Sequence, residues 1–149
     1  GGVVPIIYDQ PIVADFALEV DVRLPQAESG SAVGVILRSD PAAGGLDFYY
    51  QFSFLPAAGE VKLEMWKDGR WSTLAASPIP VGVIVPGAID RLRVEADGPA
   101  LRLYVNGTPL LDAEDDSLAS PGIIGLSLVA GEVPDSVYFD TLRIEALDE

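Results

Sequence analysis

The chain contains no cysteine and no histidine. A thiol nucleophile, a Ser-His-Asp triad, a His-ligated metal and a disulfide are all excluded on that ground, leaving carboxylate, Tyr, Lys or Arg side chains for any chemistry. Basic residues are scarce, with 9 Lys plus Arg against 23 Asp plus Glu and a formal net charge of −14. Such a surplus repels phosphate backbones, so nucleic acid is not an expected partner. Long apolar runs are missing too: Ile123 to Ala130 and Val81 to Val85 are broken by Gly or Pro or fall short of the roughly 18 residues of a membrane helix, and no membrane insertion is expected. The first residues lack a basic region followed by an apolar stretch, so any signal peptide is expected to have been removed. The lack of cysteine does not by itself fix the compartment.

What the chain has is alternation. Its 149 residues, 49% hydrophobic, suit a single domain over 1–149 with a core of its own. In Phe16 to Leu24 the residues Phe16, Leu18, Val20, Val22 and Leu24 share one face, while Glu19, Asp21 and Arg23 share the other, as in a half-buried strand. Val33 to Arg38 and Phe48 to Leu55 read as further strands, the second with Phe48, Tyr50, Phe52 and Phe54 alternating against Tyr49, Gln51 and Ser53. Asp68-Gly69, Asp97-Gly98 and Asn106-Gly107 sit between alternating segments, where two-residue hairpin turns require positive φ. They join Val61 to Lys67 with Arg70 to Leu74, Arg91 to Glu95 with Leu101 to Val105, and Val105 with Thr108 to Leu111. Ile123 to Val129 and Val137 to Ala146 complete the set. Pro78, Pro80 and Pro86 mark an edge strand or an ordered crossing loop. The reading is an all-β antiparallel sandwich of about ten or more strands, with a core of Phe16, Leu18, Val20, Val22, Val35, Leu37, Phe52, Phe54, Leu63, Met65, Leu103, Val105 and Phe139.

The order of motifs carries a resemblance. Gly34-Val-Ile-Leu-Arg38, Tyr49-Tyr50-Gln-Phe52, Trp71-Ser-Thr-Leu74, Leu103-Tyr-Val-Asn-Gly107, Gly122-Ile-Ile-Gly125-Leu and Tyr138-Phe-Asp140-Thr-Leu-Arg143-Ile together resemble bacterial concanavalin A-like or laminin-G-like jelly-roll modules, related in fold to family 16 glycoside hydrolases. The resemblance implies a non-catalytic binding module, extracellular or on a bacterial cell surface, that takes a glycan or an extracellular protein partner. The alternatives are a structural or adhesive subunit that self-associates through sheet edges, and a degenerate glycosidase. Such modules usually have another strand or two before the point where this chain begins, so an N-terminal strand is expected to be lacking or borrowed. Val3 to Tyr8 is apolar and β-prone, and is expected to complete a sheet of its own chain or of a neighbour.

Four features are candidate sites. Family 16 glycosidases place three carboxylates at alternate positions of one strand, and Glu19-Val20-Asp21-Val22-Arg23 resembles that string with Arg23 in the third place, so a solvated strand face is the expected reading. Asp140 matches a place where those enzymes hold a structural Ca²⁺, which the resemblance implies here. The run Asp112, Glu114, Asp115 and Asp116 lacks the spacing of an EF-hand loop and reads as a solvated loop, and Asn106-Gly107-Thr108 reads as a turn before it reads as a glycosylation acceptor. The fourth is a ligand face. If Asp68 and Gly69 form the turn, Trp66 lies opposite Trp71 and both point away from the core residues Val61, Leu63 and Met65. Tyr49, Gln51 and Arg38 project from their own strands in the same sense, so Trp66, Trp71, Tyr49, Gln51 and Arg38 are the expected recognition surface.

Overall fold

Alternating side chains become alternating burial. In the computed structural model, which describes residues 3–13, 15–23, 32–39, 48–56, 58–84, 89–115, 122–129 and 138–146, the chain forms β1 (Val3–Val13), β2 (Phe16–Arg23), β3 (Ala32–Ser39), β4 (Tyr49–Leu55), β5 (Glu60–Lys67), β6 (Arg70–Pro78), β7 (Ile89–Asp97), β8 (Ala100–Val105), β9 (Thr108–Glu114), β10 (Gly122–Val129) and β11 (Tyr138–Ala146). There is no helix among the described residues. A six-stranded sheet in the order β1-β10-β3-β4-β5-β6 packs on a five-stranded sheet in the order β11-β2-β7-β8-β9, and every pairing is antiparallel.

The core lies between the sheets. Phe16, Leu18, Val20 and Val22 of β2, Leu92 and Val94 of β7 and Leu101, Leu103 and Val105 of β8 meet Val33, Val35 and Leu37 of β3, Tyr50, Phe52 and Phe54 of β4 and Val61 and Leu63 of β5, all buried. Each such side chain contributes roughly 1.5–3 kcal/mol on full burial. Met65 is only half-buried against this cluster, because it sits near the β5–β6 turn where the sheet runs out. Phe48 is likewise half-buried, at a bend before β4. The side chain of Phe139 lies outside the described residues.

Turn chemistry sets the hairpins. Asp68 and Gly69 have φ of +54° and +73°, and Asn106 and Gly107 have +51° and +83°, both pairs of signs being those of a type I′ turn. The third hairpin differs from the expected one by one residue. Asp97 pairs with Ala100, so the turn residues are Gly98 and Pro99, with Gly98 at φ +57°. The proline ring holds φ negative, which makes this the II′ pattern with glycine at the first central position. Asn106 also ties its hairpin to the segment leading into and starting β7: its Nδ2 donates to the Val83 carbonyl at 2.8 Å and to Asp90 Oδ1 at 3.0 Å, while its Oδ1 accepts from the Arg91 amide at 2.8 Å. The nitrogen that a glycan would occupy is therefore engaged within the fold, as the turn reading requires.

Several strands run past their expected ends, β1 reaching Val13, β6 reaching Pro78, β7 spanning Ile89 to Asp97 and β9 reaching Glu114. Asp112 and Glu114 of the acidic run thus stand on a strand and not in a loop. After β6 the chain crosses irregularly, with Ile79, Val83 and Ile84 packed on the core and Val81 fully exposed. β1 pairs with β10 of its own chain, from Val3 opposite Val129 to Val13 opposite Gly122.

Candidate functional site

On the outer face of the six-stranded sheet, β4, β5 and β6 lie side by side in register. Tyr49 pairs with Trp66 and Trp66 with Trp71; one pleat along, Gln51 pairs with Glu64 and Glu64 with Thr73. The face therefore carries a row of three aromatic rings beside a row of hydrogen-bonding groups, about 7 Å apart along the strands. The Trp66 and Trp71 centroids are 5.2 Å apart with the planes at 57°, and Tyr49 meets Trp71 edge-on at 5.7 Å and 84°. Trp71, on the edge strand, is 47% exposed. Burial among its neighbours raises the Tyr49 phenol pKa. In the second row Gln51 Nε2 donates to Ser53 Oγ at 3.1 Å, and Ser53 Oγ donates to Glu64 Oε1 at 3.4 Å. Flat apolar ring faces beside a short polar network suit a ligand that has an apolar side and a hydroxylated rim.

Arg38 does not join this face. Its φ is +53°, and β3 carries an extra residue against β10 between Ile36 opposite Gly125 and Ser39 opposite Ile123. That bulge breaks the two-residue alternation on which an outward Arg38 depended. The guanidinium is instead fully buried and bonds Asp15 Oδ1 at 3.3 Å. Burial lowers its pKa, opposed by the charges of Asp15, Tyr50 and Asp97. Asp15 Oδ1 also accepts the Gly98 amide at 2.9 Å, and the buried Tyr50 hydroxyl donates to Asp115 Oδ1 at 2.5 Å, so this polar cluster links the two sheets at one end of the sandwich. Asp115 thereby takes a structural contact in place of the solvated position expected of it.

The backbone of Asp140 lies in β11 opposite Asp21, but its side chain lies outside the described residues. Among the described residues no group of three or more Asp or Glu side chains is arranged to hold a metal ion.

The outer face of the five-stranded sheet has a different character. Asp21 on β2 receives Arg91 of β7 through two bonds, Nε to Oδ1 at 2.9 Å and Nη2 to Oδ2 at 3.3 Å. Arg93 bridges Glu19 at 3.4 Å and Glu95 at 2.9 Å, Arg102 reaches Glu95 at 3.9 Å and Asp112 at 3.6 Å, and the Tyr104 hydroxyl donates to Glu95 at 3.2 Å. Glu19, Asp21, Arg91, Arg93 and Tyr104 border an open depression of about 660 Å³ rimmed by the exposed Ile89. Hydrogen bonds and charge from Asp21 raise the pKa of Arg91 further above its ordinary value. Glu19 and Asp21, the carboxylates of the glycosidase-like string, are thus each engaged by a guanidinium of the next strand.

Four of the five residues expected at the ligand face come together, and Arg38 does not. Glu64, Ser53 and Thr73 are the members that the expectation omitted. Glu64 and Ser53 were within reach of the same parity argument, since they alternate with Trp66 and with Tyr49 and Gln51, whereas Thr73 becomes a neighbour only through the β5–β6 register.

The fold is shared with several solved structures. The carbohydrate-binding module CBM66 from Bacillus subtilis superposes with a TM-score of 0.79 at 23% identity, over 97% of this chain and 83% of that one. Galectin LEC-6 from Caenorhabditis elegans gives 0.68 at 18%, over 95% and 89%, and the catalytic domain of an endo-1,3-beta-glucanase from Thermotoga petrophila gives 0.68 at 17%, over 93% and 67%. The concanavalin A-like sandwich is thereby confirmed, while nothing singles out the laminin-G branch. No curated protein matches the chain. The model of the 3-keto-alpha-glucoside-1,2-lyase-like domain matches residues 5–145, nearly the whole chain, and the protein belongs to that family.

Proposed function

We propose that this chain is a non-catalytic carbohydrate-binding domain whose recognition surface is the outer face of β4, β5 and β6. The observation that carries the reading is the row of the half-buried Tyr49 and Trp66 and the exposed Trp71, set beside Gln51, Glu64 and Thr73. Sugar rings present C–H faces to aromatic planes and hydroxyls to amides and carboxylates, so both rows have a use. The reading is supported by the names of two proteins that share the fold, the carbohydrate-binding module and a toad galectin in complex with thio-digalactose. We place the domain outside the cell or on its surface, where polymeric glycans are met. Affinity electrophoresis against a panel of soluble polysaccharides tests the proposal: the parent chain should be retarded by at least one polymer, and the folded Trp66→Ala/Trp71→Ala variant by none. Equal retardation of both would sink it.

Family membership favours one second reading, in which the same face is catalytic. A 1,2-lyase acting on a 3-keto-glucoside removes the C2 proton, acidified by the neighbouring ketone, while the C1–O bond breaks and C1=C2 forms. The proton goes to a base and the electron pair of the broken bond leaves on the departing oxygen. With no histidine in the chain, Glu64 is the group placed beside the rings that can act as that base. Incubation with a 3-keto-glucoside decides the matter: release of the C1 substituent that Glu64→Gln abolishes supports the lyase reading, and absence of release by the parent chain rules it out.

A further inference from the structure

We propose that two copies of this chain join edge to edge through β6, with Ser72 on the two-fold axis, so that their six-stranded sheets become one. The contact needs no ligand and stands apart from the glycan reading above. A strand at the edge of a sheet offers unpaired N–H and C=O groups to any chain that can lie beside it, and most edges carry something that prevents this. β1, β6, β9 and β11 are the outermost of the described strands. β1 has Pro5, Asp9 and Pro11, β9 has Pro109, Asp112 and Glu114, and β11 has Asp140, Arg143 and Glu145. β6 has neither proline nor charge from Trp71 to Ser77. In a chain of net charge −14, a second copy approaching there meets no carboxylate on the strand it must pair with.

The first half of β6 is also open on both faces. Arg70, Trp71, Ser72 and Thr73 are all exposed, although successive side chains point to opposite sides of the sheet. A strand that covered the core would bury every second residue, as β7 and β8 do. The tip of the β5–β6 hairpin thus projects past the sandwich, and Met65, opposite Ser72, is accordingly only half-buried. Beyond Thr73 the strand closes down. Leu63 pairs with Ala75 and Glu64 with Thr73, so Leu74 is an extra residue, and Leu74 and Ala75 pack on the core as Leu110 and Ala113 of β9 do. That bulge confines a new pairing to the stretch from Arg70 to Thr73.

Bonding parity then fixes the register. Lys67 and Arg70 flank the two-residue turn and exchange the first hydrogen bonds of the hairpin, and Met65 and Ser72 exchange the next. Trp66 and Trp71 form the non-bonded pair between them, where side chains stand closer, in keeping with ring centroids 5.2 Å apart. Trp71 and Thr73 therefore turn their N–H and C=O groups to the free edge. A two-fold axis normal to the sheet pairs the strands antiparallel and keeps outer face with outer face. The register that uses both outward-bonding residues sets Trp71 of each copy against Thr73 of the other, with about four backbone bonds, and Ser72 against Ser72. On the outer face the row Tyr49, Trp66 and Trp71 then runs on into Thr73, Glu64 and Gln51 of the second copy, which adds polar groups to the end of each aromatic row.

So short a contact makes a weak dimer, half-formed between about 1 μM and about 1 mM and tighter in high salt, which screens the net charge. Sedimentation equilibrium of the intact chain across that range is the test. Ser72 is exposed and points away from the aromatic row, so changes there spare the proposed glycan surface. Ser72→Glu and Ser72→Lys each set like charges across the axis and should each weaken association at least about tenfold, and an equimolar mixture of the two should restore it. The chain has no cysteine, and the roughly 4.5 Å Cα separation of a non-bonded pair suits a disulfide. Ser72→Cys should therefore oxidise to a linked dimer much faster than Asp112→Cys, whose site is exposed on the β9 edge. A chain that stays monomeric at about 1 mM would overturn the proposal and leave the β6 edge to a strand of another protein. A dimer that both charges leave intact, a mixture that stays monomeric, or equal oxidation at the two cysteine positions would overturn it as well.

Discussion

The two outer faces of the sandwich are built on the same pleat and use it in opposite ways. On the five-stranded sheet, positions that point outward are filled with Glu19, Asp21, Arg91, Arg93, Glu95 and Arg102, and nearly every charge finds its opposite on the next strand. On the six-stranded sheet the corresponding positions of β4, β5 and β6 hold three aromatic rings and a short polar chain, with about half of Trp71 left to solvent. Charges satisfied within a face keep it soluble and leave it little to offer a ligand. Exposed ring faces cost solvation and are worth that cost where something stacks on them. The contrast teaches that a depression of about 660 Å³ on the ionic face is a weaker pointer to function than a shallower surface with unsatisfied stacking capacity.

The largest effect should come from a residue on neither face. Arg38→Met removes a buried guanidinium from Asp15, whose own side chain keeps 20% exposure. Breaking a buried pair typically costs about 3–5 kcal/mol, and the partly wetted Asp15 puts the expectation near the lower end, about 3 kcal/mol in urea denaturation. Glycan affinity of the folded fraction should stay within about twofold of the parent. A large loss of affinity with normal stability would return Arg38 to the recognition surface and blur the contrast.

Next in size is the aromatic row. Trp66→Ala/Trp71→Ala should weaken glycan binding at least about thirtyfold, about 2 kcal/mol. The stability cost should be about 1 kcal/mol, the scale of a cross-strand aromatic pair. Global unfolding instead would show that the indoles serve the sheet. Smaller again, Arg93→Gln on the ionic face should cost less than about 1 kcal/mol, shrink further in high salt, and leave glycan binding untouched. Any change in binding there would break the division of labour between the faces.

The smallest effect is one of pH. Burial raises the pKa of Asp90, partly offset by the hydrogen bond from Asn106. Because the folded value lies above the unfolded one, the folded state binds the proton more tightly, and this residue's contribution to stability falls as pH rises through the window just above the ordinary Asp value of about 3.9. Asp90→Asn keeps an acceptor for Asn106 and should flatten that part of the stability profile. Urea midpoints measured across the window that keep the parental slope would show that Asp90 does not produce it.

Much was legible in the sequence because it was local. The alternation of Phe16 to Val22 and of Val61 to Leu63 named the buried face of each strand, since a side chain on a strand can point only one of two ways. Asp68-Gly69 placed Trp66 opposite Trp71, because a two-residue turn leaves a single register. Where a local signal had two readings, the structure chose: Asp97-Gly98 shifted to Gly98-Pro99 because the proline could take the second, negative-φ place. What no local signal carried was the partner of each strand. The pairing of β2 with β7 that neutralises Glu19 and Asp21, the seat of Tyr49 beside Trp66, and the bulge that turns Arg38 inward all depend on segments far apart in the chain. The alternating chain thus determined by itself which residues are turned away from the core on β2, β4 and β5. Only the tertiary structure decided which of them meet, because strand neighbours and bulges are set by sheet order and by the space left between the sheets.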